Sequence, residues 1–258
     1  MNFPRLSRAR FLFGALALLA AGFADARNLT EIRSSKLLVI GINGEIAPFQ
    51  YTVDRKPMGF EIELMKMVAA DLGVEPLYQV YPSFLDMQKA LSEDRIDVFI
   101  GTLAATSNRD AKFDLTRPYA CLAAALFTPE PNIRTHNDLK GKTVGLIKGT
   151  VFQNYVEKLP FTMNLKYYDS VAEVIEGLGK KFDATVAWKA QRPFMSKVTK
   201  LELQETPTLW SIPVSMMVSN GNTSLRSGLN ASITKLRTDP KFIALDSRYF
   251  PNDSVICK

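Results

Sequence analysis

Short apolar runs that stop at glycine alternate along this chain with stretches whose apolar residues recur at helical spacing. That alternation constrains the fold more than any other feature of the sequence. "KLLVIGI" (Lys36 to Ile42) ends at Asn43-Gly44, the pattern of a buried strand. "GFEIELMKMVAADLG" follows, with Phe60, Leu64, Met67, Val68 and Leu72 at helical spacing and Gly73 at its end. Glu61 and Glu63 stand in its first turn, where the helix dipole favours acids. "EPLYQVY" reads as a strand, "SFLDMQKALSEDR" as a helix capped by Ser83, and "IDVFIG" as the strand closing a βαβαβ unit. A second unit repeats the order. A strand from Thr143 to Ile147 precedes Gly149-Thr150, then come the helix "VFQNYVEKL" and the strand "NLKYYD". "SVAEVIEGLGKK" is a helix opened by the capping box Ser170-x-x-Glu173, "FDATVAW" is a strand, and a further helix starts near Lys189.

No low-complexity linker separates the units. The chain crosses between them at "CLAAALFTPEP" and again near "TPTLWSIPVSMMVS", and its tail from Thr223 is helical with a break at Asp239-Pro240. The expected architecture is therefore two α/β lobes on a two-strand hinge: residues 27–122 with 214–258 in one lobe, and 123–213 in the other. Ligands in open α/β sheets bind beyond the carboxyl ends of the strands, and a cleft between two such lobes gathers those ends from both sides.

Residues 1–26 stand apart. Arg5, Arg8 and Arg10 precede an apolar run from Phe11 to Ala21, and Ala24-Asp25-Ala26 has the A-x-A form of a cleavage site. The run is shorter than the ~20 residues a membrane span needs. It reads as a secretory signal peptide cleaved after Ala26, which makes the mature protein exported and periplasmic. Its loss lowers the formal net charge from +6 to +4. The basic residues are scattered, without the runs or aromatic interleaving of a nucleic-acid binder, so no nucleic-acid partner is expected. Cys121 and Cys257 both survive into an oxidising compartment, as a disulfide or as two buried thiols. With one histidine, His136 in the polar helix start "RTHNDLKG", and two distant cysteines, no metal site and no cofactor are expected.

One stretch, "IGTLAATSNRDAKFDLTRPY", turns from a buried strand into a polar loop carrying Arg109. By itself such an arginine is a solvated turn residue as readily as an anion ligand. A resemblance bears on the choice. "GFEIELMKMVAADL" (Gly59 to Leu72) is similar, position for position, to the signature of the family 3 extracellular solute-binding proteins. "APFQY", "DLTRPY" and "DLKGKTVGLIKGT" fall in the companion positions, so the resemblance covers the mature chain. It implies a type II periplasmic-binding fold that captures a small solute, most often an amino acid, and delivers it to a membrane ABC permease without chemistry; nothing in the sequence gives a basis for an oligomer, and a monomer is the expectation for a receptor that opens and closes. It also implies that Arg109 clamps the ligand carboxylate, with backbone donors near Thr102. A planar guanidinium suits that task because it donates two parallel hydrogen bonds. Phe84 corresponds to an aromatic that stacks on the ligand, Gly149 and Thr150 to the second-lobe loop facing a carboxylate, and Asn43 and Glu45 to the loop that selects the ligand's side chain.

Two departures matter. Ala104 stands where relatives often have a carboxylate-binding Ser or Thr. Trp188 ends "FDATVAW" where many relatives carry an aspartate that pairs with the ligand ammonium; Asp183 matches a structural aspartate instead. A buried ammonium without an anionic partner is costly. Three readings stand: Trp188 faces the cation with its ring, the ligand has no amine, or another group such as Glu45 serves it. Beside the receptor stand an accessory or sensor protein with a degenerate site and a dehydratase-type enzyme on the same scaffold, for which Glu45 is the one candidate acid placed near the cleft.

Overall fold

The computed structural model describes residues 26–104 and 113–257. Helix α1 (Leu29–Ser35) is opened by Asn28, whose side chain accepts from the Thr30 and Glu31 amides. The polar spacing there carried no strand or helix signal by apolar period. Strand β1 (Leu37–Ile42) follows, then a small antiparallel sheet of β2 (Glu45–Ile46), β3 (Gln50–Val53) and β4 (Lys56–Met58). Helix α2 (Phe60–Leu72) leads to β5 (Glu75–Val80), α3 (Phe84–Ser92) and β6 (Val98–Ala104). Past the strand β7 (Phe113–Leu115), β8 (Ala120–Thr128) runs on into the second unit.

That unit is built from β9 (Thr143–Ile147), α4 (Val151–Val156), β10 (Asn164–Tyr168), α5 (Val171–Gly177), β11 (Ala184–Trp188) and α6 (Arg192–Thr199). A short β12 (Gln204–Glu205) precedes β13 (Trp210–Ser219), which returns to the first unit, and α7 (Thr223–Leu236) and α8 (Pro240–Tyr249) pack there. The strand order is β10-β9-β11-β8-β13-β6-β1-β5, with β12 on β8 and β7 on β13. β1 pairs parallel with β5 and β6, and β9 pairs parallel with β10 and β11. The two parallel sets are joined by β8 and β13, antiparallel to each other and to their neighbours β11 and β6. The alternation in the sequence is thus realised as two doubly wound units sharing one sheet through two long strands.

Differences from the periodicity reading have local causes. The helix at Val171 ends at Gly177 rather than running through Lys181. Leu178 is extended, Gly179 takes φ +74°, and Phe182 turns back to bridge Leu178. The Phe182 ring fills the space over Gly145 and Gly177, where a Cβ would meet it at 2.4 and 2.6 Å, so neither position has room for a side chain. The helix near Lys189 starts as a 3₁₀ turn, Lys189–Gln191, before Pro193 fits the first turn of α6. In the first unit Phe60 meets Phe242, Tyr249 and Phe250 at ring distances of 5.1–6.2 Å, which seats α2 against the C-terminal helix. A buried aromatic of this kind contributes about 1.5–3 kcal/mol through removal from water.

Cys121 and Cys257 are joined in a disulfide with Cα atoms 4.9 Å apart, and the Cys121 amide donates to Val255 O at 2.7 Å. Among the described residues no helix is long and apolar enough to cross a membrane, and no group of three or more His, Cys, Asp or Glu is placed to hold a metal ion. Residues 1–25, with the expected signal peptide, lie outside the described part.

Candidate functional site

One cleft gathers the carboxyl ends of strands from both units. From the first come Ile46, Phe84 and the end of β6, Gly101 to Leu103. From the second come Ile147, Thr150 and Phe152 around the start of α4, Val171 and Val174 of α5, and Trp188 at the end of β11. Gln191 and Met195 complete that wall. The cavity left between the walls is about 40 Å³, so the two walls stand close together in this structure.

The first wall is organised from behind by a buried carboxylate. Glu61, in the first turn of α2, is fully buried. Its carboxylate accepts from the Thr102 amide at 2.8 Å, from Gln50 Nε2 at 2.8 Å, and from the Tyr119 hydroxyl. Burial pushes its pKa up to about 7, against the lowering effect of those three donors. Burial and the adjacent Glu61 carboxylate raise the Tyr119 hydroxyl well above its ordinary range. Thr102 sits at φ +52°, a left-handed conformation that a β-branched residue adopts only when neighbours impose it. The Glu61 carboxylate and the Tyr119 hydroxyl, both at its amide, are those neighbours. Glu61 read in sequence as a helix-dipole acid, and helix-end electrostatics gave no signal that the same side chain would reach the end of β6.

The structure places the other expected residues as follows. Thr102 lines the cleft, but its amide is directed to Glu61. Phe84 is 7 % exposed and lines the cleft at the start of α3, which Ser83 caps; its ring lies 6.2 Å from that of Phe99. Thr150 lines the second wall as N-cap of α4, its hydroxyl donating to Ile147 O at 2.8 Å and accepting from the Gln153 amide. Gly149, at φ +73°, donates its amide to Gln153 Oε1 at 2.9 Å and faces Leu85 of the opposite unit. Trp188 is 2 % exposed and lines the cleft, its ring 4.7 Å from that of Phe152 in an edge-on arrangement. Asn43 lies beside the cleft rather than in its lining. Its side-chain amide donates to Tyr81 O and Pro82 O, and its Oδ1 has no partner among the described residues. Glu45 reaches across to the second unit, where its Oε2 accepts from the Ala172 amide of α5 at 3.1 Å. Arg109 lies outside the described residues.

Two α/β units on two shared strands, with a cleft between them, define the type II periplasmic-binding-protein architecture. The chain belongs to the bacterial extracellular solute-binding proteins, family 3, whose pattern matches residues 38–252. It is similar to the L-cystine-binding protein TcyJ of Escherichia coli K12, at 29% identity over 98% of this chain and 99% of the relative. A solved ancestral arginine-binding protein bound to arginine superposes with a TM-score of 0.78 at 25% identity, covering 83% of this chain and 98% of that one. A membrane-bound lytic murein transglycosylase F of Desulfosudis oleivorans shares 27% identity over 93% of this chain, which spans 55% of the enzyme.

Proposed function

We propose that this protein is a periplasmic receptor which captures a small carboxylate-bearing solute, an amino acid or related organic acid, and delivers it as a monomer to a membrane ABC permease. The observation that carries the reading is a cleft lined by strand ends of both units, β6 from one and β9 and β11 from the other. The 40 Å³ cavity supports a cycle in which the units part and close about β8 and β13. Lobe limits of 27–122 with 214–258, and 123–213, agree with the pairing: β13 joins β8 up to Val214 and β6 from Val214 onward. Processing after Ala26 leaves Arg27 at the start, where its guanidinium bonds Asp97 and so anchors the new terminus. Relatives named for cystine and arginine support the carboxylate, and Arg109 is the residue assigned to it.

A binding role without catalysis is favoured over an enzyme on this scaffold. No acid lines the cleft among the described residues, and the carboxyl with a raised pKa, Glu61, is fully buried behind Thr102. General acid catalysis needs the proton within hydrogen-bond reach of substrate. The test is a thermal-shift screen of mature protein, refolded free of ligand, against amino acids and organic acids, with Arg109→Ala alongside. A true ligand at a hundred times its Kd stabilises by about 2.7 kcal/mol. A rise in melting temperature in the wild type and not in Arg109→Ala is expected; no response to any carboxylate would overturn the reading.

A further inference from the structure

We propose that the solute is a two-ended amino acid: beyond the end held in the cleft it carries an arm, and the arm's own zwitterionic terminus lies in a second groove between the units. The proposal rests on the reading of the cleft as the site of an amino acid, and adds a subsite to it.

The second groove has about 770 Å³ of room, within the span of about 300–1,000 Å³ usual for small-molecule sites. Both units build it, and the elements that build it also wall the cleft. Ile46 lines the cleft, while Glu45 and Ala47 on either side of it line the groove. Along α5, Val171 and Val174 face the cleft, Ala172 and Glu176 one turn apart face the groove, and Ile175 lines both. The partition between the two spaces is thus Ile46 from the first unit against Ile175 from the second, beside the bond from the Ala172 amide to Glu45. Its halves belong to different units, so it parts when the units part. A short apolar linker can then lie between the two isoleucines.

Charge decides what the arm ends in. The groove holds the carboxylates of Glu45 and Glu176 and the ammonium of Lys197. Among the described residues Glu176 and Lys197 make no ion pair and no side-chain hydrogen bond, and of Glu45 only Oε2 is engaged. A hydrocarbon end would leave all three charges to water, and a purely cationic end would meet Lys197 as a like charge. An end carrying both an ammonium and a carboxylate is complementary to both signs. Val53 of β3 and Val198 of α6, both exposed, line the same groove and lose contact with water where the arm covers them.

The experiment titrates ligand-free mature protein calorimetrically with L-cystathionine and with L-methionine. The two share an α-amino acid end and a thioether; cystathionine carries a second amino acid end where methionine has a hydrogen on its terminal methyl. The expected result is binding of cystathionine at least about tenfold tighter. Glu176→Gln and Lys197→Gln, both at exposed positions, should each weaken cystathionine about two- to fivefold, the range of exposed ion pairs, and leave methionine unchanged. Unchanged melting temperatures show that the variants fold. Equal or tighter binding of methionine by the wild type overturns the proposal and leaves the receptor reading standing. So does a preference for cystathionine that survives both substitutions undiminished, and so does a protein that binds other amino acids but neither of these two. No response to any amino acid or organic acid removes both readings.

Discussion

Glu61 shows how one side chain can be legible by type and illegible by role. Its carboxylate is the acceptor for three donors, and Gln50, one of them, is fixed in turn because its Oε1 accepts from the Asn43 and Gly44 amides. Glu61→Gln would therefore set one side-chain NH₂ against another, with Gln50 unable to turn over. A loss of about 1–3 kcal/mol is expected. The pH dependence distinguishes this from a general packing defect. The folded-state pKa, about 7, lies above the ordinary 4.5, so the folded protein holds the proton more tightly than the unfolded chain. That contribution is fully present below 4.5 and is lost as pH rises through about 7, with a slope of up to about 1.4 kcal/mol per unit. Urea unfolding of both proteins between pH about 4.5 and 8 should show the wild type losing its advantage over Glu61→Gln as pH rises. A constant difference would mean that the carboxyl titrates alike in the folded and unfolded states. Of the residues the sequence marked for the site, Phe84, Thr102, Thr150 and Trp188 line the cleft, Asn43, Glu45 and Gly149 are not in its lining, and Arg109 lies outside the described residues. The sequence could not mark Glu61, because a buried acid serving a loop leaves no periodicity and no neighbour in sequence.

At the scale of elements, strands and helices were legible wherever the apolar period was long. β1, α2, β9 and α7 fall within a residue or so of the reading, since each buries one face or two against the sheet. The β2–β4 sheet was not legible. Its strands are two to four residues long, and its turn rests on Asp54 and Arg55, both at positive φ, rather than on a glycine. That sheet nevertheless carries the Glu45 contact to the other unit. In α5 Ser170 accepts from the Glu173 amide and Glu173 from the Ser170 amide, while the Ala172 amide is met by Glu45. The bond exists only while the two units are together, and a carboxylate at the first turn of a helix is favourably placed. Glu45→Ala removes it and should shift the ligand-free protein toward the open arrangement. Small-angle scattering should then record a larger radius of gyration for the variant than for the wild type. Identical scattering would show that the contact adds nothing to closure. A loss of about 1–2 kcal/mol from the closed state corresponds to roughly a 5–30-fold weaker apparent affinity for any solute that requires closure.

At the scale of the whole molecule, the large sheet is the part that must bend, because among the described residues its two parallel sets of strands meet through β8 and β13. Its hinge strands are also where the disulfide acts. Cys121 lies near the start of β8 and Cys257 near the end of the chain, so the bond closes a loop of 136 residues and pins the tail to one end of a connecting strand. The tail is held there by backbone as well: Val255 accepts from the Cys121 amide and donates to Asp246 Oδ1 of α8. Restricting so long a loop in the unfolded chain stabilises the fold by about 2–5 kcal/mol. The bond lies on the side of the first unit, and neither cysteine lines the cleft, so it should set global stability without setting recognition. Thermal unfolding of the wild type with and without a thiol reductant, and of Cys121→Ser/Cys257→Ser, should show a lower melting temperature in both reduced and double-mutant forms. The rise that a saturating carboxylate adds to each should remain unchanged. A double mutant that melts as the wild type does would show that the backbone bonds at Val255 hold the tail unaided. A double mutant that keeps its stability deficit but also loses the ligand-induced rise would instead place the tail in the closure of the hinge, through the register of β8 against β13.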